Sequence, residues 1–317
     1  MKAVFLDFAT MGPGLDTAAL TAALPDIEFF DVTASAEIAE RIHGAEFVLG
    51  NKVRITAEHM RANPELRYIG LTATGTDNID LNAARENDIA VCNIRAYCTQ
   101  SIAEHVFGCL LNLTRSLSQL NAVVRDGEWQ KSRDFCLLSF PMRELSAMTL
   151  GIVGYGELGK GVATVAKAFG MDVIISARPG TEAIPEGRVA FDDLLQRADV
   201  ISLHCPLSDE TKNLFGNDAF VAMKSDAILI NTARGGLVDS AALVRALGGG
   251  EIAAAAVDVL PEEPPVNGNP LLDYKGSNLM ITPHVAWGTN EARQAAVDQL
   301  VACVAAFLNG DRLNRVD

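Results

Sequence analysis

Residues 149–159 read TLGIVGYGELG, an apolar run that leads directly into a glycine-rich turn. Gly154, Gly156 and Gly159 have the spacing G-x-G-x-x-G. A chain with 26 glycines produces such strings by chance, so the surrounding pattern decides what this one means. An amphipathic helical pattern follows the turn, and a second apolar run at 172–176 follows the helix. This order predicts a dinucleotide-binding βαβ unit, with a pyrophosphate at the helix N-terminus.

Short apolar runs alternate with helical patterns on both sides of this unit. We expect strands at 2–6, 27–32, 45–49, 67–71 and 89–92, and a second series at 149–153, 172–176, 199–203, 227–231, 253–258 and 279–282. Because such alternation is typical of parallel βαβ units, the sequence predicts an α/β fold. We expect two Rossmann- or flavodoxin-like parallel-sheet domains with a cleft between them.

The composition excludes several classes of protein. Among 317 residues, 26 Lys and Arg oppose 40 Asp and Glu, which gives a formal net charge of −14. A nucleic-acid binder or an anionic-membrane binder needs a basic face, so neither is expected. The six cysteines are dispersed without a C-x-x-C pair, which predicts no metal site and a reduced, cytoplasmic protein. No apolar stretch has the roughly 18 residues of a membrane span.

The segment 99–146 lies between the two strand series and starts as a helix. Ile102, Val106, Leu110 and Leu113 fall on one face of that helix, and an irregular stretch with several aromatic residues follows. An apolar segment of this length must be buried somewhere. We expect it to form the interface of a homodimer; the alternative is that it packs over its own domain.

The end of the second strand of the βαβ unit bears on the choice of coenzyme. A site that prefers NAD has Asp or Glu here, accepting from the ribose 2′-hydroxyl. This chain has Ala177 at that position, followed by Arg178. The missing carboxylate removes repulsion against a 2′-phosphate, and an arginine can pair with it, which favours NADP(H). The alternative is that Arg178 stacks on the adenine or points to solvent and that NAD binds.

Three segments carry polar side chains directly after predicted strands, and they contain Arg234, Glu263 and His284. An arginine can pair bidentately with a carboxylate. A histidine can protonate a carbonyl oxygen near neutral pH, and a glutamate can orient its ring. We expect His105 and His204 to be packed or hydrogen-bonded within the protein. Arg234, Glu263 and His284 would each have an ordinary structural interpretation if taken alone. Together with the glycine turn, the three predict a site for a 2-oxo acid.

At this point the chain resembles the D-specific 2-hydroxyacid dehydrogenases over essentially its whole length. The resemblance is carried by the glycine turn, by the block 201–223 that begins ISLHCPLSDET, and by MKSDAILINTARGGLVD at 223–239. Within that family it is most similar to glycerate dehydrogenases, also called hydroxypyruvate reductases. The stretches Gly50–Lys52, Gly127–Ser132 and His284–Gly288 suggest this subgroup.

The resemblance implies roles for the residues that match family motifs. Arg234 would bind the substrate carboxylate and carbonyl, His284 would be the acid/base, and Glu263 would be its partner. The coenzyme would be contacted by Glu157 and Leu158 over the pyrophosphate, Thr232 and Ala233 at the nicotinamide ribose, Asp258 at the carboxamide, and Pro206 and Trp287 along the same site. The substrate carboxylate would be received by Thr74, Gly75 and Thr76, with Lys52 adding positive charge. The alternative for residues 74–76 is a threonine-rich turn that binds no ligand, and the alternative for Lys52 is an ordinary surface lysine.

The implied reaction is the reduction of a short 2-oxo acid, hydroxypyruvate or glyoxylate, to the D-2-hydroxy acid with NAD(P)H. Alternative substrates are 3-phosphoglycerate and D-lactate. An alternative class is a non-catalytic, dinucleotide-sensing corepressor-like protein. We expect a substrate domain formed by 1–98 and 287–317 and a dinucleotide-binding domain at 99–286.

Overall fold

In a computed structural model of the protein, which describes residues 1–181 and 183–317, the chain divides into two compact units. Unit 1 comprises Met1–Cys98 and Gly288–Asp317, and unit 2 comprises Thr99–Trp287. Trp287, which we expected in the first domain, belongs to unit 2. Its indole Nε1 donates to the backbone oxygen of His284 over 3.0 Å.

The strands occur where apolar runs predict them, with ends that differ by at most three residues. In unit 1 they are β1 (Lys2–Phe5), β2 (Asp26–Phe29), β3 (Phe47–Gly50), β4 (Tyr68–Leu71) and β5 (Ala90–Cys92). In unit 2 they are β6 (Thr149–Val153), β7 (Asp172–Ile175), β8 (Val200–Leu203), β9 (Ile228–Asn231), β10 (Ala254–Val257) and β11 (Leu279–Ile281).

The α-helices connect the strands and cover the sheets. They are α1 (Ala18–Ala23), α2 (Ile38–Ile42), α3 (Ala57–Ala62), α4 (Leu81–Glu86), α5 (Thr99–Arg115), α6 (Leu117–Arg125), α7 (Glu128–Lys131), α8 (Glu157–Ala168), α9 (Phe191–Arg197), α10 (Asn217–Ala222), α11 (Ser240–Gly249), α12 (Pro270–Asp273) and α13 (Asn290–Leu308). Short 3-10 helices lie at Phe8–Met11, Ser35–Glu37, Leu145–Ala147 and Gly235–Leu237.

Each unit contains one fully parallel sheet, so the predicted fold class is confirmed. The strand order is β2-β1-β3-β4-β5 in unit 1 and β11-β10-β9-β8-β6-β7 in unit 2. In unit 2 the chain moves from β6 outward to β7 and then returns to β8 on the other side of β6. Open sheets of this kind bind ligands at the carboxyl ends of their strands, where the order reverses. The glycine turn at 154–159 lies at this reversal.

The last helix completes unit 1, because α13 packs against α1 and β4. A Cβ on Gly70 in β4 would come within 2.6 Å of Leu300 Cδ1, so glycine is needed for the close approach of this helix. The ring of Phe307 contacts Phe47 and Tyr68 at centroid distances of 5.7 and 5.0 Å. Residues far from the N-terminal strands in sequence therefore form part of their core.

Candidate active site

The glycine turn of unit 2 has a conformation and surroundings that only glycine permits at two of its positions. Gly154 has a φ of +95°, and a Cβ there would lie 2.4 Å from the backbone nitrogen of Cys205. A Cβ on Gly159 would lie 2.2 Å from the oxygen of Gly154. Gly156, by contrast, has no described residue other than its chain neighbours within 4 Å of where its Cβ would be, and it precedes the first residue of α8. The open space before this helix suits a pyrophosphate, which backbone N–H groups and the helix dipole attract.

Glu157 and Leu158, expected over the pyrophosphate, are the first two residues of α8. The carboxylate of Glu157 lies 3.5 Å from Lys160 Nζ at the surface. Pro206 is exposed and lines a cavity of about 560 Å³ that begins at the glycine turn. The turn, the helix start and this cavity fit an elongated dinucleotide.

The far end of the same cavity contains two arginines. Ala177 is only 4% exposed and lines the cavity beside Arg178. Arg188 also lines it: its Nη1 donates to the backbone oxygen of Ser176 over 3.0 Å, and its guanidinium lies over the Tyr155 ring, 5.5 Å from the centroid. Sequence reasoning identified Arg178 and missed Arg188. Only the pairing of Val189 with Ser176, an isolated parallel bridge, brings Arg188 to this strand end.

His204 directly follows β8 next to the glycine turn and lines the same cavity. Its Nε2 lies 2.8 Å from the Ser202 hydroxyl, and burial lowers the pKa of His204 to about 4. The ring is therefore neutral at physiological pH.

Because of this lowered pKa, acid should destabilise unit 2 through His204. Between pH 6.5 and about 4 the unfolded chain binds a proton that the native ring does not, so stability falls as pH falls through this window. Glutamine can hydrogen-bond but does not titrate. Between pH 7 and pH 4.5 we therefore expect the free energy of unfolding of His204→Gln to fall by about 2 kcal/mol less than that of the wild type. Urea unfolding of both proteins at the two pH values measures the difference. Equal losses would contradict the assignment.

The predicted catalytic residues follow three neighbouring strands of unit 2. Arg234 lies after β9, Glu263 after β10 and His284 after β11. Asn231, which is 1% exposed, shapes the first of these turns: its Oδ1 accepts from Ala233 N over 3.0 Å and its Nδ2 donates to Arg234 O over 2.9 Å. The Arg234 Nη1 donates to Ala233 O over 2.8 Å.

The structure brings His284 and Glu263 into direct contact. The imidazole Nδ1 lies 2.6 Å from Glu263 Oε2, and Glu263 Oε1 accepts from Leu260 N over 2.8 Å. A carboxylate at Nδ1 assigns the N–H to that nitrogen, so Nε2 is the atom that faces chemistry. The two side chains are 27% and 35% exposed, so a ligand can reach the pair. This dyad is the arrangement that proton transfer to a carbonyl oxygen requires.

Asp258 has more protein contacts than the carboxamide role implies. Its side chain is buried, and its two oxygens accept from Thr282 Oγ1 at 2.6 Å, Val285 N at 2.9 Å and Ala286 N at 2.9 Å. Thr232, expected at the nicotinamide ribose, is 8% exposed and has a buried hydroxyl without a hydrogen-bond partner among the described residues. Such an orphaned hydroxyl between the glycine turn and Arg234 suits a ribose or amide group of a dinucleotide.

The predicted substrate-carboxylate residues lie in unit 1. Lys52 follows β3, and Thr74, Gly75 and Thr76 follow β4, its neighbour in the sheet. Sequence reasoning missed Asp7, a buried residue after β1 that shapes the first of these loops. Its carboxylate accepts from the backbone nitrogens of residues 51, 52 and 53 at 2.8, 2.6 and 3.1 Å.

Among the described residues, none of the helices is both long and apolar enough to cross a membrane. Residues 1–181 and 183–317 contain no group of three or more His, Cys, Asp or Glu side chains arranged to hold a metal ion.

Comparison with known proteins identifies the family of this chain. A family model described as "D-isomer specific 2-hydroxyacid dehydrogenase, NAD binding domain" matches residues 107–286. A glycerate dehydrogenase from Methylorubrum extorquens is 44% identical over 291 residues, covering 92% of this chain and 91% of that protein. A hydroxypyruvate reductase from Blautia hydrogenotrophica is 36% identical over 324 residues, covering 100% of both. An acyclic imino acid reductase solved in complex with NADPH and D-Arg superposes with a TM-score of 0.87 at 28% identity over 100% of both chains.

The protein is a nicotinamide-dependent oxidoreductase that acts on a CH–OH group. Its two parallel sheets, its glycine turn and the charged groups at adjacent strand ends fit this class. The chain belongs to the D-isomer specific 2-hydroxyacid dehydrogenase family. The resemblance predicted from its motifs is confirmed.

Proposed function

We propose that the protein reduces hydroxypyruvate or glyoxylate to the corresponding D-2-hydroxy acid. The His284–Glu263 contact of 2.6 Å carries this proposal, because it provides a positioned proton donor at the strand ends beside the glycine turn. The glycerate dehydrogenase and hydroxypyruvate reductase among the similar proteins support the choice of a three-carbon or two-carbon acid.

The chemistry divides among few groups of this chain. The reduced nicotinamide of a bound coenzyme supplies a hydride to the carbonyl carbon. Arg234 binds the substrate carboxylate and carbonyl through its guanidinium fork, and Lys52 with Thr74–Thr76 receives the carboxylate. His284 delivers a proton from Nε2 to the carbonyl oxygen as negative charge develops there. Glu263 holds the Nδ1 proton and stabilises the imidazolium from which that proton comes. The product is the 2-hydroxy acid, and oxidation follows the reverse order.

A substrate panel tests this function. The rates of NADH and NADPH oxidation are measured with hydroxypyruvate, glyoxylate, pyruvate and phosphohydroxypyruvate. We expect the highest kcat/KM with hydroxypyruvate or glyoxylate. A higher value with phosphohydroxypyruvate or pyruvate would replace the substrate assignment, and no turnover with any acid would favour the dinucleotide-sensing alternative.

We also propose a preference for NADP(H) over NAD(H). Ala177 presents no carboxylate to repel a 2′-phosphate, and Arg178 and Arg188 line the same end of the cavity. The hydrogen bond to Ser176 O and the Tyr155 ring hold the Arg188 guanidinium in place, so little side-chain entropy is lost on binding. Two arginines around a phosphate give charge-assisted contacts that a 2′-hydroxyl cannot.

Removing either arginine should therefore weaken NADPH selectively. We expect Arg178→Gln and Arg188→Gln each to lower kcat/KM for NADPH about tenfold, with NADH changed less than about twofold. The exposed Arg245→Gln on α11 is the matched control and should change neither. A wild-type preference for NADH, or equal losses with both coenzymes, would contradict the proposal.

We propose that a homodimer forms through the segment 99–146. The part of this segment after α5 exposes large apolar side chains: Leu117 53%, Val124 46%, Trp129 50%, Phe135 90%, Leu138 75% and Met142 38%. Apolar patches of this kind on a soluble protein favour association. Light scattering should find a dimer for the wild type and for Val221→Asp, a control at a valine of α10 that is 69% exposed. It should find a monomer for Phe135→Asp/Leu138→Asp. A wild-type monomer would refute the proposal.

We assign substrate binding to unit 1 and dinucleotide binding to unit 2, which contains the glycine turn. All six cysteines are free, which is usual in a reducing compartment and supports a cytoplasmic location. Fractionation of the source cells tests the location, and an extracytoplasmic protein would contradict it.

A further inference from the structure

The turn that presents His284 has an uncommon backbone conformation. His284 has a φ of +54°, in the left-handed region that non-glycine residues seldom occupy. Such a conformation costs free energy and persists only where the surroundings hold it.

Three consecutive backbone N–H groups of the turn end on one residue. His284 N donates to the backbone oxygen of Asp258 over 2.7 Å, and Val285 N and Ala286 N donate to its carboxylate over 2.9 Å each. The orientation of the Asp258 carboxylate thus sets the position of residues 284–286. A carboxylate that rotated would release two of these bonds at once.

Helix α5 controls that orientation through a short hydrogen-bond chain. The Thr282 hydroxyl donates its single proton to Asp258 Oδ1 over 2.6 Å, since an ionised carboxylate can only accept. His105 Nε2, 3.1 Å from the same hydroxyl oxygen, must then be the donor to it. The direction of donation therefore runs from His105 to Thr282 and from Thr282 to Asp258. His105 Nε2 also lies 3.9 Å from Asp258 Oδ1.

A second contact from the same face of α5 reaches the end of the turn. Ser101, one helical turn before His105, donates its hydroxyl proton to Ala286 O over 2.6 Å. Ser101 is 5% exposed and the His105 side chain 19%, so both contacts are shielded from water. Helix α5 therefore contacts the catalytic turn at both of its ends.

We propose that His105 is a positioning residue for the reaction: through Thr282 it orients Asp258 and so holds the left-handed turn that presents the His284 imidazole. This inference rests on the proposed role of His284. It assigns His105 no contact with substrate or coenzyme. Because Asp258 is also expected at the coenzyme carboxamide, the loss of His105 should act mainly on kcat, with only a small change in KM for the coenzyme.

The test uses the full-length enzyme and compares His105→Leu with His105→Gln. Leucine fills similar space without a donor, whereas glutamine places an N–H donor near the position of Nε2. We expect leucine to lower kcat about 30- to 100-fold, as small misplacements of a catalytic group do, with KM for the coenzyme changed less than about threefold. The primary isotope effect with coenzyme deuterated at C4 should rise, and glutamine should restore kcat to within about fivefold of the wild type.

Thr282→Val provides a second route to the same result and completes a double-mutant cycle. Because both side chains act in one chain of hydrogen bonds, His105→Leu/Thr282→Val should lose no more kcat than the worse single variant. Glu104→Gln, an exposed neighbour on α5 whose side chain contacts Gln100, is the matched control and should retain wild-type kcat.

Three outcomes would overturn the inference: an unchanged kcat in His105→Leu, no rescue by glutamine, or additive losses in the double variant. Each of these presupposes an active wild-type enzyme. An inactive wild type, or a His284→Ala variant with full activity, would instead refute the proposed function, so the two failures are distinguishable.

Discussion

Replacing His284 by alanine is expected to lower kcat about 10³- to 10⁴-fold, because the developing alkoxide loses its proton donor. Coenzyme affinity should stay nearly unchanged, since the glycine turn, α8 and the cavity beyond them do not include this side chain. Stopped-flow turnover with the best acid gives kcat, and fluorescence titration with reduced coenzyme gives Kd.

Two further variants separate chemistry from folding in this experiment. His284→Asn places a residue that tolerates a left-handed φ at +54° and should lose as much activity as alanine. His43→Gln changes an exposed histidine of unit 1 and should retain full activity. Substantial turnover by both His284 variants would remove this residue from the mechanism.

Replacing Arg234 by glutamine should produce the second large effect, mainly on substrate binding. Losing one partner of a hydrogen-bonded charge pair lowers kcat/KM about 10²- to 10³-fold, and we expect most of the loss in KM for the 2-oxo acid. Arg234→Lys keeps the charge without the guanidinium fork and should recover only part of the activity.

The control for Arg234 is Arg245→Gln, which removes an exposed arginine of the same unit whose side chain bonds Asn217. This variant should match the wild type in kcat and KM. Initial rates over a range of acid concentrations measure all three variants. If KM for the acid were unchanged in Arg234→Gln, carboxylate binding would have to be assigned to other residues.

The sequence predicted the strands well because parallel buried strands have near-continuous apolar runs, as in 227–231 and 199–203. Strand ends were less accurate: the run 27–32 is strand only to Phe29, since hydrogen bonding and not apolarity ends an element. The predicted domain boundary at 287 lies within one residue of the division between the two units, which falls between Trp287 and Gly288.

Site residues that act from the ends of neighbouring strands were also open to prediction. Parallel strands bring their carboxyl ends to one edge, so Arg234, Glu263 and His284 could be grouped without coordinates. Asp7 and Arg188 could not be found this way. Each acts through backbone groups that only the folded chain brings to it. Asn231 lies within the motif at 223–239 and bonds groups only two and three residues further along the chain.

The strand–turn–helix pattern around Gly154 was sufficient to predict the fold class, and with the blocks 201–223 and 223–239 it was sufficient to predict the family. The polar residues after three strands predicted that Arg234, Glu263 and His284 share one site. These features depend on local periodicity and on a topology that parallel sheets impose. Only the tertiary structure decided how the dyad is held: Asp258 binds the turn 284–286, and Thr282 and His105 orient Asp258. The physical reason is distance along the chain, because His105 and Thr282 are 177 residues apart and meet only when α5 packs in unit 2.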